Sequence, residues 1–178
     1  MSGSWERLTS VFLVEQCSEC GYDYDDLARD EIAPALRADA AALAECIAAV
    51  PDPTLRRRVR PEVWSPLEYG CHVRDVLEVQ RARVLLAQVE DEPEFVPMRR
   101  DERAVELRYN EQDRVAVIDQ IAGAADALAR TLEDLDAAGW ERTGLYNYPT
   151  PQLRTVEWIG RHTVHELRHH TLDVERLL

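Results

Sequence analysis

Four stretches of this chain repeat apolar residues at the spacing of an α-helix, and none alternates convincingly in the manner of a half-buried strand. The first runs from about Asp25 to Val50, with Leu27, Ile32, Leu36, Leu43 and Ile47 apolar. Pro34 either opens its main helix or kinks a longer one, and Pro51-Asp52-Pro53 stops it. The second begins at Ser65-Pro66-Leu67-Glu68, with Ser at the N-cap, Pro at the first helical position and Glu at the third. Such a capping box lets Ser and Glu satisfy backbone N–H groups that the first turn leaves unpaired. Val73, Val76, Leu77, Val79, Val84, Leu85 and Leu86 carry this helix to about Glu90. The third starts near Asn110 or Gln112 and ends at Ala138, with Gly139 placed just past its C-terminus. The last starts near Thr155, a good N-cap, and runs to the end of the chain. Residues 91–111 and 140–154 are proline-bearing and read as two longer connections. The expectation is an all-α chain, a four-helix bundle with two long connections forming one domain over residues 1–178.

Charge narrows the partners. The net charge is -13, and all 21 basic residues are arginine, so a polyanion would be repelled where a nucleic-acid binder needs a basic footprint. The one basic cluster, Arg56-Arg57-Arg58-Val59-Arg60, lies between prolines and reads as a solvated loop. No run approaches the ~18 apolar residues of a bilayer span. The opening Met1 to Arg7 has neither the basic start nor the apolar stretch of a signal peptide, so a cytoplasmic location is expected. Reduced thiols follow from that location. Cys17-x-x-Cys20 is half of a zinc knuckle, but no second CxxC or CxxH follows it. Nothing around it reads as a thioredoxin-like βαβ unit, and Cys46 falls in an apolar helical pattern as a buried thiol.

All five histidines fall in two of the helices. His72 stands alone near the start of the second, on the face of Val76 and Val79. The other four crowd into His162-Thr163-Val164-His165-Glu166-Leu167-Arg168-His169-His170 on the last. At ~100° per residue, His165 and His169 lie about 40° apart around the axis and one turn apart along it, close enough to share an ion. A third imidazole from His72 would complete a divalent-metal site with an open position, suited to Zn, Ni or Fe. Asp75, Glu166 and Asp173 are candidate acceptors for the outer ring N–H groups, and His162 and Asp75 are candidates for orientation or proton transfer. His170 turns toward the apolar stripe of Val156, Ile159, Leu167 and Val174. The segment His165-Glu166-Leu167-Arg168-His169 has the H-E-x-x-H spacing, but so short a pattern also arises by chance in a histidine-rich helix, and a metalloprotease reading is disfavoured. Trp158 is a candidate pocket wall, and Arg154 and Arg161 are candidate contacts for an anionic substrate.

Two segments together carry a resemblance. Trp64-Ser65-Pro66-Leu67-Glu68-Tyr69-Gly70-Cys71-His72 and Thr155 to His170, with its H-E-x-x-H-H end, resemble the DinB-like superfamily, which includes mycothiol-dependent maleylpyruvate isomerases and related thiol S-transferases. The resemblance extends from Cys17-Ser18-Glu19-Cys20-Gly21-Tyr22-Asp23 to the last helix. It implies a four-helix bundle with a divalent metal held by a His on the second helix and an H/E-x-x-x-H pair on the last, positions that fall on His72, His165 and His169. It further implies that the metal binds and activates a low-molecular-weight thiol of the mycothiol type, for S-transfer or isomerisation of a small electrophile. The alternative expectation is a non-catalytic metalloprotein with a structural or stress-response role. Tryptophan and tyrosine in the connections are compatible with a homodimer.

Overall fold

The structure is a computed structural model that describes residues 16–147 and 150–178. The reading of Met1 to Arg7 therefore lies outside the described residues. Helices α1 (Ile32–Ala49), α2 (Asp52–Leu55), α3 (Pro66–Val89), α4 (Arg100–Glu106), α5 (Arg114–Glu133), α6 (Ala137–Glu141) and α7 (Val156–Glu175) alternate with short turns, and strands β1 (Thr143–Tyr146) and β2 (Gln152–Thr155) precede α7.

The long helices begin where side chains can satisfy their first N–H groups. Ser65 Oγ accepts the Glu68 N–H at 3.3 Å, while Glu68 Oε2 accepts the Ser65 N–H at 2.8 Å, the reciprocal pattern expected. Arg58 Nε donates to the same carboxylate at 2.8 Å, and Arg56 donates to the carbonyls of Asn110 and Gln112. The arginine cluster thus ties connections to the bundle. Thr155 Oγ1 accepts the Trp158 N–H at 3.1 Å and starts α7.

Two boundaries of the third long helix differ from expectation. Asp113 caps it by accepting the Ala116 N–H at 2.9 Å, so α5 opens at Arg114. It stops at Glu133, because Asp136 caps a separate turn through the Gly139 N–H at 2.8 Å; Gly139 lies inside α6.

α1 and α3 each pack against both α5 and α7, so the order around the bundle is α1, α5, α3, α7. Ile32, Leu36, Leu43, Ile47, Leu67, Leu77, Ile121, Leu128, Leu132 and Ile159 are buried between them. Gly160 lets α7 approach α1: a Cβ there would stand 2.9 Å from Ile32 Cγ2. No helix of the described residues is long and apolar enough to cross a membrane.

The connection from Trp140 to Arg154 is not wholly irregular. β1 and β2 pair antiparallel, Thr143 opposite Thr155 through Tyr146 opposite Gln152. A third extended segment joins them, since the Phe95 N–H donates to Leu145 O at 3.0 Å and the Leu145 N–H to Pro93 O at 2.8 Å. The strap and hairpin set Tyr146 against Trp158 and His162.

Candidate metal centre

α7 carries two interleaved pairs one turn apart, His165 with His169 and Glu166 with His170, rotated about 100° from each other. The buried stripe of Ile159, Leu167 and Val174 turns the second pair toward α3. The Ser65 cap fixes the first turns of α3, and His72 reaches across from its second turn. His72, Glu166 and His170 can each offer a ligand atom within 4.8 Å of the others. His72 Nε2 lies 3.8 Å from Glu166 Oε2, His170 Nε2 lies 3.4 Å from it, and the two imidazole centroids are 4.9 Å apart. Donors around a tetrahedral ion with 2.0–2.2 Å bonds stand about 3.3–3.6 Å apart, so this trio is close to the size of a cation.

The surroundings suit that use. Asp173 Oδ2 lies 2.9 Å from His170 Nδ1, which fixes the ring and leaves Nε2 aimed at Glu166. Burial works against charge on His170, but the hydrogen bonds to Asp173 and Glu166 outweigh it and raise its pKa to about 9, so a cation binding there would displace the proton the ring otherwise carries. Burial also opposes ionisation of Glu166; hydrogen bonds from His170 and His72 and the neighbouring imidazoles hold its carboxyl well below the usual range. Burial keeps His72 neutral by lowering its pKa, the form a metal needs, and among the described residues His72 Nδ1 has no hydrogen-bond partner. A histidine, a carboxylate and a second histidine fit a divalent cation.

The triad expected from sequence is divided. His72 joins Glu166 and His170, while His165 and His169 face the N-terminal hairpin, where they group with Cys17 and Cys20. Asp75 is turned away: it accepts from Arg74 Nε at 2.7 Å, Arg103 Nε at 2.5 Å and Tyr109 Oη at 2.6 Å. His162 stacks on Trp158 with centroids 4.6 Å apart, and its Nδ1 lies 2.7 Å from Tyr24 Oη. Arg161 donates to Leu27 O and pairs with Glu157, and Arg154 lies over the Trp158 ring, so both serve the packing of α7. Glu166, expected as an acceptor for a ring N–H, and His170, expected toward the apolar stripe, lie on the side of α7 that faces the bundle.

A cleft of about 390 Å³ opens beside His72, Glu166 and His162. Val76, Val79, Met98 and Tyr146 give it apolar walls, and Arg83, Arg99 and Arg100 border it, the last two paired with Glu102 and Asp101.

Comparison with known proteins agrees with this architecture. YfiT from Bacillus subtilis, described as a probable metal-dependent hydrolase with an unusual four-helix bundle topology, superposes with a TM-score of 0.75 at 17% identity, covering 84% of this chain and 85% of its own. A mycothiol-dependent maleylpyruvate isomerase superposes with a TM-score of 0.70 at 14% identity, over 85% of this chain and 62% of its own length. No curated protein matches the chain in a sequence comparison. The family model of the DinB superfamily matches residues 35–174, which take in α3 and α5, nearly all of α1 and α7, and the His72, Glu166 and His170 cluster, and this chain belongs to that superfamily.

Proposed function

We propose that His72, Glu166 and His170 hold a divalent metal ion and that the chain is a metal-dependent enzyme of small-molecule thiol chemistry, an S-transferase or isomerase acting on a small electrophile. The observation that carries the reading is the convergence of these three side chains, from α3 and α7, at the edge of an open cleft. A structural ion is normally closed off by four protein ligands, whereas three ligands beside a cleft leave a position for an exchangeable partner. A cation bound there would favour the thiolate of a coordinated thiol near neutral pH.

The chain's own residues supply the rest. Asp173 orients His170, and Trp64, with its ring centroid 4.8 Å from that of His72, shields the imidazole from water. His162 borders the cleft, with Nε2 3.7 Å from Glu166 Oε1, and is placed to accept a proton released there. Arg83 is braced by Gln80 and the Val96 carbonyl, so its charge faces the cleft at a fixed place and favours an anionic electrophile. The thiol is supported by the likeness to the mycothiol-dependent isomerase fold and by the resemblance of the His72 and His165–His170 segments to thiol-using relatives.

The test is metal content together with turnover. Protein prepared without chelator is assayed for metal, then for consumption of mycothiol or another small thiol against a panel of electrophiles. The expected result is metal-dependent loss of both reactants, abolished in His72→Ala and Glu166→Gln. Ester or amide cleavage that needs metal but no thiol would replace this reading with a hydrolase. Metal retained undiminished in both variants would remove the site.

A further inference from the structure

The expected half knuckle Cys17-x-x-Cys20 has its missing partners on the last helix. Cys17, Cys20, His165 and His169 can each bring a ligand atom within 4.8 Å of the others. We infer that these four residues form a second metal site, a tetrahedral Cys2His2 centre for zinc that staples the N-terminal hairpin to α7. It stands whether or not His72, Glu166 and His170 hold an ion, since no ligand is shared.

The backbone is already shaped for it. Gly21 takes φ +76°, and its N–H donates to Cys17 O at 2.8 Å, closing the tight turn that brings the two sulfurs to one side. The Cys17 N–H donates to Tyr22 O at 2.8 Å, and Gln16 bridges Asp23 across the same hairpin. Both cysteines are free thiols rather than a disulfide.

Each histidine presents one nitrogen inward and has the other occupied. Cys17 Sγ lies 3.7 Å from His169 Nδ1, close to the ~3.6 Å expected between sulfur and nitrogen on one tetrahedral zinc with bonds of 2.3 and 2.1 Å. His169 Nε2 faces Glu19 at 3.5 Å and Asp173 at 3.7 Å. His165 Nδ1 lies 3.1 Å from Tyr24 Oη, and its side chain is 12% exposed. Among the described residues, its buried Nε2 has no hydrogen-bond partner. With the Tyr24 hydroxyl accepting from His165 Nδ1–H and donating to His162 Nδ1, Nε2 of His165 is a lone pair available to a cation. Two soft sulfurs with two imidazoles select zinc over the hard cations. Four protein ligands leave no open position, so the centre is structural. What it holds in place is Tyr22 and Tyr24, whose rings pack on His165, with Tyr24 also against Trp158 and His162 beside the cleft.

The experiment reads the sulfur ligands directly. The full chain and its His72→Ala variant are loaded with cobalt(II) under reducing conditions, with free thiols counted. Both are expected to show near-ultraviolet thiolate-to-cobalt charge transfer and the intense visible bands of tetrahedral cobalt. Cys17→Ser and Cys20→Ser should lose the charge transfer and one zinc per chain, whereas Cys46→Ser should change neither. If the cysteine variants fail to fold, modification of the wild-type thiols with an organomercurial should release one zinc per chain, read with a metallochromic dye. Reduced wild-type protein without a thiolate band, or zinc content and spectrum unchanged in Cys20→Ser, would overturn the site. Persistence of the band in His72→Ala separates this outcome from the fate of the cleft metal.

Discussion

Asp75, one helical turn from His72 in sequence, and Asp173, beside His170, show how differently two carboxylates can be used. Asp75 is buried, and although burial opposes its charge, Tyr109, Arg103 and Arg74 hold its carboxyl below the usual range. Asp75→Asn leaves two buried or half-buried guanidinium groups without their anion, and a cost of about 3 kcal/mol at pH 7 is expected. A lowered carboxyl pKa contributes stability that is complete above the unfolded value of about 3.9 and is lost as pH falls through the folded value. The difference between wild type and Asp75→Asn, read by urea unfolding, should therefore shrink below about pH 4. Asp173 instead orients His170 at 2.9 Å. Asp173→Asn should weaken metal binding at His72, Glu166 and His170 about 10–100-fold while leaving the fold intact, measurable by chelator competition. Sequence spacing made this cluster visible but not its rotation. His165 with His169 and Glu166 with His170 have the same i, i+4 relation, so local geometry cannot choose between them. What separates them is how Ile159, Leu167 and Val174 seat α7 on its neighbours, which turns Glu166 and His170 toward His72 and leaves His165 and His169 beside Cys17 and Cys20.

Elements that carry their own start signals were legible, and those held by distant partners were not. Ser65, Asp113 and Thr155 each accept a backbone N–H within three residues, so α3 and α7 begin where their sequences indicate, and α5 lies within a few residues of the expected start. The β1–β2 hairpin has no such local code. Four-residue strands containing Thr, Gln and Arg are stabilised by the strap that pairs with Leu145 and by Phe95 seated over Gly144. A Cβ on Gly144 would come 2.2 Å from Phe95 Cζ, inside contact distance, so the ring must move. Gly144→Ala should destabilise the chain by about 1–3 kcal/mol, read as a lower denaturant midpoint. Because the same strap carries Pro97 to Glu102 along the cleft, thiol turnover should fall in that variant with metal content unchanged.

At the scale of the whole molecule, the order α1, α5, α3, α7 places α3 beside the last helix, although the two are separated in sequence by α4, α5, α6 and the hairpin. The proposed cleft metal therefore bridges two helices whose contact forms only when the bundle is complete. The unfolded chain cannot gather His72, Glu166 and His170, so the ion binds the native state preferentially and stabilises it by mass action. At free metal 100-fold above its dissociation constant the gain is about 2.7 kcal/mol. For a chain of this size that raises the melting temperature by about 2–4 °C per kcal/mol. The expected series is a melting temperature that climbs with the logarithm of free metal in wild type, falls on chelation, and is insensitive to the cleft ion in Glu166→Gln. Measuring the series in Cys20→Ser removes any contribution from the proposed hairpin zinc. A wild-type slope that survives there and vanishes in Glu166→Gln assigns the linkage to the α3–α7 clamp. A slope of the same size in Glu166→Gln would place the stabilising ion elsewhere.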